Sequence, residues 1–182
     1  GKIETKSDAR LIFPRYHQRR AVLHIVGDVK EKGAGHRYLI QHSAGSGKSN
    51  TITWLAFRLS NLYRTVEDEK PIFDSVLVVT DRRVLDRQLQ NNLRQFQITE
   101  GEVKYIDNKC NSQDLKRAIE DRKRIIVTTL QKFPVISDTI RLFPDRKYAV
   151  IIDEAHSSQS GEAARQMRKA LSLEEAEAFD AE

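Results

Sequence analysis

The chain of 182 residues holds one cysteine, one methionine, one tryptophan and four prolines. A lone thiol, Cys110, excludes an internal disulfide framework and any zinc site built from several cysteines. No apolar run reaches the roughly 20 residues that a membrane-spanning helix needs. The polar N-terminus lacks the apolar core of a secretory signal. These absences lead us to expect a soluble, intracellular protein in a reducing compartment. The chain opens on Gly1 rather than methionine, as a segment cut from a longer protein would.

What is present is ordinary globular material with a charge asymmetry. Hydrophobic residues make up 39% and charged residues 31%, and this length can bury roughly 65–70% of its unfolded surface. The formal net charge is +5, from 31 Lys and Arg against 26 Asp and Glu. Residues 174–182 carry five acids, Glu174, Glu175, Glu177, Asp180 and Glu182, and no base. The body over residues 1–173 therefore sets 31 bases against 21 acids, a net of +10. Such a body suits a polyanionic partner, although an excess of Lys and Arg often serves solubility alone. We expect one domain, whole or in part, over residues 1–173, and an acidic tail or linker over 174–182.

Two periodicities alternate along the chain. Tyr16–Lys32 reads as a helix with Val22, Ile25, Val26 and Val29 on one stripe, ended by the Gly33-Ala34-Gly35 turn. Residues 38–40 read as a short strand, followed by a loop and a helix carrying Ile52, Leu55, Ala56, Leu59 and Leu62. Strands are expected at 76–79, 103–106, 125–127 and 149–152. Helices are expected after Asp81, with Val84, Leu85, Leu89 and Leu93, and over 113–120 and 166–173; residues 157–161 read as a loop. The strands are mostly unbroken β-branched runs rather than apolar and polar alternations. Such runs mark strands covered on both faces of a mainly parallel sheet, which predicts a three-layer α/β domain.

The loop between the first expected strand and its helix is His42-Ser43-Ala44-Gly45-Ser46-Gly47-Lys48-Ser49. Glycines let backbone N–H groups turn inward at a helix N-terminus, which makes an anion-binding nest. In this pattern Gly45, Ser46 and Gly47 shape the cradle and Lys48 brings a point charge to the β- and γ-phosphates. Ser49 offers a hydroxyl to Mg²⁺. The strict phosphate-loop pattern begins with glycine, and His42 stands there instead.

A second constellation, Ile151-Ile152-Asp153-Glu154-Ala155-His156, puts carboxylates after a buried strand, at the sheet edge where α/β folds bind ligands. Asp153 is assigned to Mg²⁺ and Glu154 to polarising the water that attacks the γ-phosphate. Gln18 taken alone reads as a polar residue at a helix start. Lys48, Asp153 and Glu154 form the catalytic set. Gln18, Gly45, Ser46, Gly47, Lys48 and Ser49 form the nucleotide-binding set.

These residues carry a resemblance. Asp153-Glu154-Ala155-His156 resembles the DEAH form of the Walker B box of superfamily 2 helicases, and residues 13–18 resemble their Q motif, which implies that the Gln18 amide pairs with the N6 donor and N7 acceptor of adenine and favours ATP over GTP. Together with residues 41–49, 79–89, 128–133 and 152–161, the chain resembles the motor (R) subunit of type I restriction enzymes over roughly 13–173. His42 is at home in that family. The resemblance implies a P-loop, RecA-like ATPase domain that uses ATP and Mg²⁺. It also implies double-stranded DNA as partner, methylation and specificity subunits, and a second RecA-like domain and a nuclease domain in the parent chain. The setting it implies is a bacterial or archaeal cytoplasm. By the same resemblance, Arg82 and Arg83 (motif Ia) and Thr128 and Thr129 (motif Ib) contact the DNA backbone without reading sequence. No segment like motif III follows His156, so only the first motor domain, or part of it, is expected here. Two other readings stay open: another superfamily 2 motor, or a silent nucleotide-binding or DNA-docking module.

Overall fold

A computed structural model describes residues 13–43, 45–80, 101–106, 110, 112–129 and 133–153. Its elements are α1 (Tyr16–Lys32), α2 (Lys48–Ser60), β1 (Ser75–Thr80), β2 (Val103–Ile106), α3 (Ser112–Glu120), β3 (Ile125–Thr129), α4 (Phe133–Arg141) and β4 (Tyr148–Ile152). The four strands form one parallel sheet in the order β2-β3-β1-β4. Parallel strands need crossovers, and α3 supplies the one from β2 to β3 while α4 supplies that from β3 to β4.

The predicted three layers follow from the pleat. Val76, Val78, Ile125 and Val127 point to one face and pack with Val22, Ile25, Val26 and Val29 of α1 and Ile52, Leu55, Ala56 and Leu59 of α2. Leu77, Val79 and Ile126 point to the other face, against Leu115, Ala118 and Ile119 of α3 and Ile136 of α4. Every residue of β1 and β3 is buried, which explains why their sequences show no polar alternation. Each large side chain so buried contributes about 1.5–3 kcal/mol. At the amino edge, Arg124 donates to the Ser60 carbonyl (3.1 Å) and the Asn61 side-chain oxygen (2.9 Å), tying the end of α2 to the sheet.

Two expectations change. Residues 38–40 form no strand and join no sheet among the described residues. Leu39 is 87% exposed, and Tyr38 is drawn to α1, its hydroxyl donating to the Asp28 carboxylate at 2.6 Å. The same carboxylate holds Lys32 at 2.6 Å. Only Ile40 turns inward, onto the core beneath α1 and α2. Burial, then the Asp28 charge, push the Tyr38 hydroxyl up to about 12. The second change is α4, which the sequence reading passed over. Its signals are Pro134 in the first turn, where a missing N–H costs nothing, and Ile136 and Ile140 one turn apart. The helices expected after Asp81 and over 166–173, the loop at 157–161 and the acidic tail lie outside the described residues.

Candidate nucleotide site at the carboxyl edge of the sheet

The site begins with the turn that starts α2. Gly45 and Gly47 have φ of 73° and 82°, in the left-handed region that glycine enters without strain. Gly47 is also confined by contact, since a Cβ there would lie 2.5 Å from the Gln18 amide nitrogen. As the N-cap of α2 it supplies no side chain, and the first turn contains no acid. The leading N–H groups of a helix have no preceding turn to bond, although here the Asn50 N–H donates to the Gly47 carbonyl at 3.0 Å, and the helix dipole adds positive potential at the same end. The loop is therefore an anion cradle by construction.

Opposite the cradle stands the end of β4. The ladder continues one residue past the strand, with the Asp153 N–H donating to the Val79 carbonyl at 2.9 Å. Alternation then turns Asp153 to the α1 and α2 face, where its fully buried side chain meets the half-buried Lys48 ammonium at 3.3 Å. Two residues far apart in sequence are thereby joined across the carboxyl edge. Ser49 sits half-buried in the first turn of α2, directly after Lys48.

Gln18 holds the cradle from behind. Its amide nitrogen donates to the carbonyls of Ser46 (3.1 Å) and Gly47 (2.9 Å), and its oxygen accepts from the Arg15 N–H (2.8 Å). At 3% exposure both ends of the amide are engaged, so Gln18 acts here as a bracket between α1 and the loop. A base contact by Gln18 requires it to release those carbonyls. His17, which the sequence reading did not single out, places Nε2 3.2 Å from the Ser46 carbonyl oxygen and sets its ring edge-on to His42. Its one sequence signal was its place beside Gln18.

The remaining assigned residues separate. Thr128 and Thr129 end β3 at 1% and 5% exposure, and the pleat sends them to opposite faces of the sheet. Neither hydroxyl has a hydrogen-bond partner among the described residues. The structure thus brings together Gln18, Gly45, Ser46, Gly47, Lys48, Ser49 and Asp153 and leaves the threonine pair divided. Glu154, Arg82 and Arg83 lie outside the described residues. No cluster of three or more His, Cys, Asp or Glu able to hold a metal occurs among the described residues. Asp153 and Ser49 are hard oxygen donors, and they fit Mg²⁺, which keeps several waters and takes further oxygens from phosphates. No helix among the described residues is long and apolar enough to cross a membrane.

Comparison with known proteins agrees with this geometry. A sequence model of the SWI2/SNF2 ATPase family matches residues 17–180. The endonuclease subunit of the type I restriction enzyme SauCOLORF180P of Staphylococcus aureus is 28% identical over 172 residues, covering 92% of this chain and 17% of the relative. The C-terminal part of the MpnIIP type I restriction enzyme endonuclease subunit of Mycoplasma pneumoniae is 31% identical, with 86% of this chain and 77% of that protein covered. Among solved structures, the UvsW helicase of bacteriophage T4 superposes with a TM-score of 0.60 over 93% of this chain and 52% of that one, at 17% identity. That likeness shows the fold, a helicase-type RecA-like α/β domain. The chain spans about 17% of the length of the first such relative, so it corresponds to one portion of a much longer subunit. By the family model over residues 17–180 and the relative covered to 77%, the chain belongs to the SWI2/SNF2 ATPase family, together with the endonuclease subunits of type I restriction enzymes.

Proposed function

We propose that this domain binds and hydrolyses ATP as the first motor lobe of a DNA translocase, within the endonuclease subunit of a type I restriction enzyme. The observation that carries the reading is the 3.3 Å pairing of Lys48 with the buried Asp153 across the carboxyl edge. In the nucleotide-free state each charge neutralises the other. The phosphates of ATP take Lys48 and the N–H groups at the start of α2, and Asp153 is released to its own task. Ser49 and Asp153 are the residues that hold Mg²⁺, which when bound neutralises charge on the phosphate oxygens. Glu154, the next residue, polarises the attacking water. A second RecA-like domain of the parent chain closes the nucleotide from the other side. Double-stranded DNA runs over the same edge, with Arg82 and Arg83 on its backbone, where charge without base readout suits a motor that must move over any sequence. Methylation and specificity subunits, and a nuclease domain in the parent chain, complete the assembly.

The test is ATP hydrolysis by the full-length protein with and without DNA. DNA-stimulated hydrolysis is expected, and Glu154→Gln is expected to keep nucleotide binding while hydrolysis falls by about 10²–10⁴-fold, the span attributed to a positioned base. Stoichiometric ATP binding with no DNA-stimulated turnover would instead identify a silent nucleotide-binding module.

A further inference from the structure

His42 opens the phosphate loop, yet neither the cradle nor the ion pair uses its side chain. The ring is half-buried and packs edge-on against His17, with centroids 5.6 Å apart and an interplanar angle of 65°. Its Nε2 is buried and has no hydrogen-bond partner among the described residues. The groups facing it are His17 from α1 and Lys48 from α2, and the Lys48 ammonium is shared with Asp153 at the end of β4. A buried imidazole nitrogen without a partner is costly, because it has given up water and gained no hydrogen bond. In sequence His42 stands three residues before Gly45, at the start of the loop that leads into α2.

We infer that His42 is a proton-linked phosphate ligand, neutral while the cradle is free of nucleotide and protonated when a polyphosphate occupies it. The inference rests on the reading of the loop as an ATP site. Burial first, then His17 and Lys48, hold the free imidazole below its ordinary range, so the ring carries no charge near neutral pH. A polyphosphate reverses the local field, because its negative charge outweighs Lys48 and stabilises an imidazolium beside it. The ring then takes one proton from solvent, both nitrogens become donors, and the buried Nε2 gains an N–H for a phosphate oxygen. No bond of the nucleotide is made or broken. Because His17 Nε2 lies against the Ser46 carbonyl, its ring is held in place to limit the charge of its neighbour until the anion arrives.

The sign of the pH dependence follows. The nucleotide-bound form has the higher pKa at His42, so affinity rises as pH falls through that value and levels off below the pKa of the free form. Each unit of difference is about tenfold in affinity. The experiment is calorimetric titration of the full-length protein with MgADP in two buffers of different ionisation enthalpy, from about pH 8 to about pH 6. The wild type is expected to take up a substantial fraction of a proton per nucleotide near neutrality, and His42→Gln to take up none beyond the small contribution of the nucleotide itself. His17→Gln, which removes one opposing group and leaves the loop sequence intact, is expected to reduce the uptake by leaving His42 closer to its ordinary pKa. Equal proton counts in the wild type and His42→Gln, with both binding MgADP, overturn the inference and leave the ATP site standing. Failure of the wild type to bind MgADP overturns both.

Discussion

The middle of the sheet and its carboxyl edge are made by the same strands, yet they solve opposite problems. In the middle, Leu77 and Ile126 press against α3 and α4 while Val78 and Val127 press against α1 and α2, and the strand backbones are paired in the ladder. At the edge, the hydroxyls of Ser46, Thr128 and Thr129 and the Nε2 of His42 are buried without partners among the described residues. Tyr148, at the amino end of β4, is a further case, so the contrast is one of concentration. Interiors normally satisfy such atoms, and an excess of them at one edge signals binding chemistry more than packing. The difference teaches that stability and function are carried by the same elements at different heights along the strand.

That contrast can be broken by mutation. Lys48→Ala is expected to lower ATP hydrolysis of the full-length protein by at least about 10²–10³-fold, the loss typical of one electrostatic contact to a developing charge. Its thermal midpoint should fall as well, because the fully buried Asp153 side chain loses the ammonium that faces it at 3.3 Å; Lys48→Arg, which keeps the charge, should hold the midpoint near that of the wild type, and a collapse in stability there would erase the distinction between edge and middle. Leu77→Ala works the other way. It should cost about 2–5 kcal/mol in denaturant unfolding, since the side chain is fully buried in the middle of the sheet. The activity of the fraction that remains folded should be unchanged.

Smaller effects sharpen the boundary. Gly47→Ala puts a Cβ in a left-handed conformation and against the Gln18 amide. A penalty of about 1–2 kcal/mol is expected from the backbone alone, with weaker nucleotide binding measured by titration. Thr128→Val replaces a hydroxyl without a partner by a methyl of similar size. Removing such a buried group is expected to leave stability within about 0.5 kcal/mol or raise it. A clear loss of stability there would show that the Thr128 hydroxyl has a structural bond that the present conformation does not display.

Much of the fold was legible because burial on two faces leaves a blunt signature. The β-branched runs at 76–79 and 125–127 and the stripe Val22, Ile25, Val26 and Val29 each sit where periodicity put them. The loop before α2 was legible as a turn because glycines were expected to shape it, and Gly45 and Gly47 do take left-handed conformations there. Residues 38–40 misled because an apolar triplet reports burial and extension without reporting a strand to pair with. Gln18 was assigned to adenine in the sequence, whereas its bracketing of the loop depends on carbonyls that become neighbours only after folding. The same limit hid His17, whose partners lie in the loop almost 30 residues away. Thr128 and Thr129 look like a pair in sequence and are divided by the two-residue repeat of the strand.

The ion pair between Lys48 and Asp153 also sets an order in time. During synthesis the phosphate loop leaves the ribosome well before β4, so the lysine waits for its counter-charge until the last strand of the described sheet has emerged. That contact joins the start of α2 to the end of β4, whose place beside β1 is set by its own ladder. A nascent chain stopped short of β4 therefore carries a loop that attracts anions but holds no carboxylate to discipline them. The finished site doubles as a molecular record that the sheet has been completed.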